Sequence, residues 1–358
     1  MIHLTTKHDF FKNKKILPLS LLIMIPLFFM QCKKNKDVVV PPAVTKSVYI
    51  TGFEFDGSRN AAKLWKDTAV TFLPTTNTRG SGLTVYVSGK DVYVAGYDYT
   101  GSANTVARIW KNGIATSLTS GVTAAIAYSV FVSGANVYVT GFEYNSSGIA
   151  VAKLWKNGSA TSLTDGTKHA NGYSVFVSGA DVYVSGYENN SNGKLVAKVW
   201  KNGTASSLTD GTYEAIGYYM YVSGADAYVA GYEFNSSARP IAKLWKNGTA
   251  TILSNNPLGG RAYSVFVSGT DVYAAGNEFN STTGHVFAKL WKNGVATALT
   301  DGNYDGQAFS VFVSDADVYV AGQEINSSGN TIAKIWKNGV ATDLSKANFA
   351  GVYSVFVK

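Results

Sequence analysis

The sequence predicts an all-β chain folded as a seven-bladed β-propeller, with four antiparallel strands per blade. Three observations carry this. Tryptophan recurs at Trp65, Trp110, Trp155, Trp200, Trp245, Trp291 and Trp336, at intervals of 45, 45, 45, 45, 46 and 45 residues. Between successive tryptophans, strand-like phrases return in a fixed order. The first and last copies are incomplete in complementary ways. A period of about 40–50 residues suits one four-stranded blade, and near-identical copies in this number favour a closed ring over an open stack.

Each element has its own signal. The first strand of a copy reads Tyr-Ser-Val-Phe-Val-Ser-Gly, at residues 128–134, 173–179 and 263–269. The second reads Asp-Val-Tyr-Val-Ala-Gly, at 91–96 and 317–322. The third carries the tryptophan, as Ala-Lys-Leu-Trp-Lys-Asn-Gly at 152–158, and the fourth reads Ala-Thr-Ser-Leu-Thr-Asp-Gly at 160–166. Short runs rich in Val, Tyr, Phe and Thr, bounded by Gly and Asn, are strands. Asn-Gly after the third strand, as at Asn202-Gly203, is the strongest short hairpin signal. Gly134-Ala135 joins the first and second strands as tightly. Strands one and two are apolar on both faces, as in a sheet covered on both sides. The first copy begins with strand two, at Ser47-Val48-Tyr49-Ile50, and the last holds only strand one, at 353–357. The C-terminal strand is therefore expected to pair with residues 48–55, complete the first blade and remove two exposed sheet edges.

Aromatic residues make up 13% of the chain and charged residues only 15%, with 7 prolines; this is a β-rich balance. The formal charge is +8, but no basic cluster with interleaved aromatics appears, so nucleic acid is not an expected partner. Residues 1–31 stand apart. Lys7, Lys12, Lys14 and Lys15 precede the apolar run 16–30, and Cys32 follows. A basic start, a short apolar stretch and a processing point read as an export signal, because roughly 20 apolar residues are needed to span a bilayer. An uncleaved membrane anchor is the alternative. Residues 32–45, with Pro41-Pro42, read as a flexible tether to a propeller domain over 46–358. Cys32 is the only cysteine, which excludes disulfides and four-thiolate zinc from the repeats.

Phe29-Met30-Gln31-Cys32 resembles the lipobox of bacterial lipoproteins. The resemblance implies cleavage before Cys32, lipidation of Cys32, and a place in the cell envelope as an outer-membrane lipoprotein. Over 46–358 the chain is similar to seven-bladed β-propeller repeat proteins of bacterial envelopes. That likeness is specific for fold and brings no catalytic motif, since propellers host many unrelated functions.

The loops from strand four to the next strand one, and those from strand two to strand three, are long and share one face. The opposite face has only tight turns. Function usually resides on variable loops over a rigid scaffold. The non-repeating residues near the channel mouth are therefore the candidate ligand-binding set: Arg79, His169, Glu214, Arg261, Asp305 and Gln307. They set mixed charges around one axis, suited to a small polar ligand from a protein or glycan. No phosphate loop, His-Glu-x-x-His or Gly-x-Ser-x-Gly occurs. The expected function is a monomeric, non-enzymatic ligand- or protein-binding scaffold without a cofactor. The alternatives are a multivalent lectin using sites between blades, and a hydrolase or lyase at the channel mouth.

Repeated features carry further expectations. Glu54, Asp98, Glu143, Glu188, Glu233, Glu278 and Glu324 end the second strands; Lys63, Arg108, Lys153, Lys198, Lys243, Lys289 and Lys334 lie in the third. They are expected to form cross-strand ion pairs, with glycosidase-type carboxylate chemistry as the functional alternative. The tryptophans are expected to fill the space between blades. Asp301-Gly302-Asn303-Tyr304-Asp305-Gly306 resembles the start of a calcium loop. Its twelfth position is Phe312, which cannot supply the closing carboxylate, so no metal is assigned. Asn-x-Ser triplets, as at Asn145 and Asn235, read as turn chemistry.

Overall fold

The structure, a computed structural model, describes residues 46–358 apart from 68, 76–78, 100, 102–103 and 346–348. The expected export signal, tether and lipidated Cys32 lie outside the described residues. Seven antiparallel sheets of four strands make up the fold. Blade 3 shows the pattern: β8 (Ala125–Ser133), β9 (Asn136–Tyr144), β10 (Ala150–Lys156) and β11 (Ser159–Ser162). The others are blade 2 (80–117), blade 4 (170–207), blade 5 (215–252), blade 6 (260–298) and blade 7 (306–343).

Blade 1 departs from chain order, as expected. Its strands run β28 (Ala350–Val357), β1 (Val48–Phe55), β2 (Asn60–Lys66) and β3 (Ala69–Phe72). Val48 pairs with Val357 and Ile50 with Val355. The Ser47 N–H donates to the Lys358 carbonyl at 2.6 Å, and the Lys358 N–H returns to Ser47 at 3.0 Å. The ring closes through this strand.

Burial falls from the axis outward. The innermost strands of neighbouring blades touch one another around the whole ring, β28 included. The outermost strands are only four residues long, and β11 is exposed throughout; short edges resist pairing with other chains. Between blades the tryptophans fill the seams. Trp155 packs on Tyr93, Ala95 and Ala107 of blade 2, and Trp65 packs on Tyr319, Ala321 and Ala333 of blade 7. A large indole set against alanines interlocks the blades at interior density. All of the tryptophans are 0–2% exposed.

The tight turns behave as their residues require. Asn157 (φ 50°) and Gly158 (φ 85°) make a hairpin turn with positive φ at both central residues. The Asn157 Oδ1 also accepts the Val137 N–H at 2.8 Å, which ties the turn to the start of β9.

One irregularity shapes the channel. Pairing of β8 with β9 slips between Ala127 and Ser129, and the innermost strand pair of every other blade slips at the matching place. Gly141 lies opposite this bulge, where a Cβ would stand 1.9 Å from the Ile126 carbonyl oxygen. Only glycine permits that approach. The extra residue shifts the strand's phase. The half-buried, channel-side positions of β8 become Ile126, Tyr128, Phe131 and Ser133. Tyr128 and Phe131 thus share a side although they are three residues apart.

Candidate functional site

The bulged inner strands line the channel in layers. Each runs from the long-loop face to the tight-turn face, so its early residues lie near the long-loop mouth. An upper aromatic ring holds Tyr128, Tyr173, Tyr218, Tyr263, Phe309 and Tyr353, with neighbouring centroids 4.7–5.5 Å apart. Leu83 takes the place in blade 2. A lower ring of Tyr86, Phe131, Phe176, Tyr221, Phe266, Phe312 and Phe356 is complete, with spacings of 4.7–5.1 Å.

Between the rings lies a polar layer of Thr84, Ser129, Ser174, Ser264, Ser310 and Ser354, with Tyr219 in blade 5. The Ser129 hydroxyl accepts the Val175 N–H of the next blade at 3.3 Å. Ser264, Ser310 and Ser354 do the same for Val311, Val355 and Val85, each at 3.2 Å. These bonds join one inner strand to the next. Tyr219 reaches into the axis and borders two cavities. The upper one, of about 390 Å³, lies within the tyrosine ring. The lower one, of about 220 Å³, lies within the second ring.

The upper phenols are neutral donors. Burial pushes the Tyr128, Tyr173 and Tyr218 hydroxyls up from their ordinary value. Tyr353 is pushed up to about 12, by burial and then by Tyr97. The upper lining includes no carboxylate, imidazole or thiol among the described residues.

The six residues singled out in the sequence divide into two sets. Arg79, His169, Glu214 and Asp305 stand just ahead of their inner strands. Their carbonyls accept the N–H groups of Tyr99, Asn189, Phe234 and Ile325 at 2.9–3.0 Å, so the backbone there is held. Their side chains have separate tasks. The Arg79 guanidinium lies 5.8 Å over the Tyr99 ring. His169 accepts the Ala150 N–H on Nδ1 at 3.1 Å. Asp305 accepts the Val286 N–H at 3.0 Å and meets His285 at 3.2 Å. His169 and Asp305 thus serve the first residue of the third strand in the preceding blade. Glu214 and the Arg261 guanidinium both act on the Tyr232 phenol, whose pKa is raised by burial, lowered by Arg261 and raised by Glu214. Arg261 lies 5.2 Å over that ring.

Arg261 and Gln307 form the second set, within the inner strands. They pair across the ladder with Asn277 and Gln323. At the latter two positions other blades carry Phe53, Tyr97, Phe142, Tyr187 and Tyr232. Blades 6 and 7 therefore give the mouth a polar sector of Arg261, Asn277, Gln307 and Gln323. Asn277 is 2% exposed and donates to the Tyr263 hydroxyl at 3.5 Å. Asn277 and Gln323 escaped the sequence reading. Their signal is visible: Gly-Asn-Glu at 276–278 and Gly-Gln-Glu at 322–324, where the other copies have Gly, an aromatic and an acid.

The repeated ions pair as their spacing suggested. Asp98 meets Arg108 at 2.8 Å, Glu278 meets Lys289 at 3.1 Å, and Glu188 and Glu324 meet Lys198 and Lys334 at 3.3 Å. Glu143 meets Lys153 at 3.8 Å, and Glu54–Lys63 and Glu233–Lys243 complete the set. Each acid lies one diagonal step from its cation, as Gly141 rather than Glu143 faces Lys153. In the calcium-like loop, Asp301 accepts both the backbone N–H and the side-chain amide of Asn303, at 2.9 and 2.7 Å. Among the described residues no group of three His, Cys, Asp or Glu is arranged to hold a metal.

These blades and their layered channel define a seven-bladed β-propeller. No protein-family model and no curated protein matches the chain. Among solved structures it is similar to Pyrococcus horikoshii acylaminoacyl peptidase (orthorhombic crystal form), with a TM-score of 0.51 and 13% identity, over 85% of this chain and 51% of that one. The chain spans about half the length of that peptidase. A triple mutant of AofleA from Arthrobotrys oligospora aligns with a TM-score of 0.43 and 11% identity, over 77% of this chain and 88% of that one. The first likeness extends to the fold alone, and the second is too weak to argue from.

Proposed function

We propose that this chain is an exported, lipid-anchored propeller of the bacterial outer membrane that binds a ligand without transforming it. The ligand site is the upper chamber and the polar sector above it. One observation supports this reading: a cavity of about 390 Å³ walled largely by tyrosines, in blades whose inner two strands also carry Arg261, Asn277, Gln307 and Gln323 toward the long-loop end. Aromatic faces cover a flat apolar surface, while phenols and amides add directed hydrogen bonds. A saccharide unit or a short polar segment of a protein fits that chemistry. The lining holds no carboxylate or imidazole among the described residues, and burial raises its phenols away from neutrality, which favours binding over hydrolysis. The tryptophan faces are covered by neighbouring blades, so lectin sites at the seams lack a stacking platform.

Glycan and peptide arrays probed with the full chain, followed by calorimetry on the best hit, test the site. Tyr218→Ala and Arg261→Ala should each weaken binding about tenfold or more, the equivalent of roughly 1.4 kcal/mol. A hit that binds both variants with unaltered affinity rejects the upper chamber. For the anchor, Cys32→Ala should release the protein from membranes. An unmodified Cys32 thiol on the mature protein, seen by mass spectrometry, rejects lipidation.

A further inference from the structure

The lower chamber differs from the upper one in chemistry. Its wall is the second aromatic ring backed by valines, and no charged residue lines it. Five positions of that ring are phenylalanine. The two tyrosines, Tyr86 and Tyr221, stand in blades 2 and 5, three blades apart. Tyr219 forms the roof. Tyr219 is pushed up to about 12, by burial first and then by Tyr221 and Tyr86. Tyr86, Tyr219 and Tyr221 all line this cavity, Thr84 and Ser310 add hydroxyls from the dividing layer, and the rest of the wall is hydrocarbon.

The roof comes at a structural cost. In the other blades this position is Ser or Thr, and four of those serines bond to the next inner strand. Tyr219 cannot repeat that bond, and at the matching position of blade 4 the Ser174 hydroxyl is buried without a partner among the described residues. Ring geometry alone would have kept serine here, as in the blades on either side.

We propose that the lower chamber is a second binding site, for a neutral one-ring aromatic molecule bearing a hydrogen-bonding oxygen, such as a phenol. Size agrees. The cavity holds about 220 Å³, and an apolar cavity of roughly 150 Å³ accepts benzene. Polarity agrees as well. A charged ligand would be desolvated with no counter-ion in the lining, whereas an aromatic body regains the dispersion contacts that an empty cavity forfeits. The ligand oxygen meets the hydroxyls of Tyr86, Tyr219 and Tyr221. This site shares only the dividing layer with the upper chamber.

Calorimetry on the full chain with p-cresol and toluene tests the proposal. Saturable binding of one p-cresol per chain is expected, about tenfold tighter than toluene, since hydrogen bonds are the sole difference between the probes. The double variant Tyr86→Phe/Tyr221→Phe keeps the ring shape and should reduce that preference to roughly threefold or less. Tyr219→Ser, the residue of the neighbouring blades, should open the roof and weaken p-cresol about tenfold. If it fails to fold, Tyr219→Phe retains the partition and should still weaken p-cresol a few-fold. Three results would overturn the site: no saturation at about 10 mM p-cresol; a preference over toluene unchanged in the double variant; or loss of p-cresol binding in Tyr173→Phe/Tyr218→Phe, which alters only the upper chamber. An upper-chamber ligand is indifferent to Tyr86→Phe/Tyr221→Phe, so the two sites fail separately.

Discussion

Ala238 has φ 54°, in a turn where blades 3, 4, 6 and 7 place Gly148, Gly193, Gly284 and Gly329 at φ 72–78°. A Cβ in the left-handed region costs roughly 1–2 kcal/mol, partly offset by the larger unfolded-state entropy of glycine. Ala238→Gly should therefore raise stability by about 0.5–1 kcal/mol in denaturant titrations, a gain no lost contact opposes. Trp155 shows the opposite case. It is fully buried against alanines that cannot expand to fill its space. Trp155→Ala should cost about 3–5 kcal/mol, and a loss below about 1 kcal/mol would contradict the seam packing. Residues differ in how openly they announce these roles. The Asn-Gly turns are legible because both residues act on their own backbone. Gly141 is not, because the atom that excludes a side chain there belongs to Ile126 on the neighbouring strand.

Strand β28 is the element on which ring closure depends. It buries Val352, Val355 and Val357 in the seam with blade 7, and its Ser354 hydroxyl binds the Val85 N–H of blade 2. Each buried valine is worth at least roughly 1.5 kcal/mol. Deleting residues 353–358 also bares the edge of β1 to other chains. The truncated chain should melt far lower or fail to fold, and should aggregate on heating; an unchanged Tm would refute closure through β28. Its partner was readable in advance, since a first copy lacking strand one and a last copy holding only strand one admit a single pairing. The bulge in each inner strand was not read. It decides which side chains reach the axis, and a strict two-residue alternation hides it.

At the scale of the whole molecule, two repeated arrangements on the blades shift titration, beside the loop carboxylates Asp56, Asp165 and Asp210, which local hydrogen bonds also lower. On the tight-turn face, Asp91, Asp181, Asp226, Asp271 and Asp317 are held below 3.8 by hydrogen bonds from a lysine and then an asparagine, Asp317 at about 2. A depressed folded pKa contributes stability above the unfolded value and loses it as pH falls through the folded one. Tm should hold near neutrality and decline as pH drops from about 4 to about 2, less steeply in high salt because these pairs are exposed. In the channel the sign reverses. Phenols raised above 10.0, to about 12 in Tyr219 and Tyr353, contribute stability that is full below pH 10 and lost as pH rises through the folded values. Tyrosinate absorbance should therefore show the channel phenols ionising only as the protein unfolds in alkali. Early ionisation of all of them would contradict their burial.

The sequence by itself determined the repeat, the blade count, the strand order, the tight turns and the closing strand. Each rests on local chemistry or on counting copies, which are properties of the chain alone. It also determined which acids and cations pair, because the hairpin after strand two brings them together. Tertiary structure decided the channel. Only folding showed that Tyr128 and Phe131 share a side, that Tyr219 divides the axis, and that His169 and Asp305 serve a strand start in the preceding blade. It also drew Asn277 and Gln323 into one sector with Arg261 and Gln307. These facts depend on bulges, seams and contacts between blades some 45 residues apart, distances over which neighbouring residues in the chain carry no local signal.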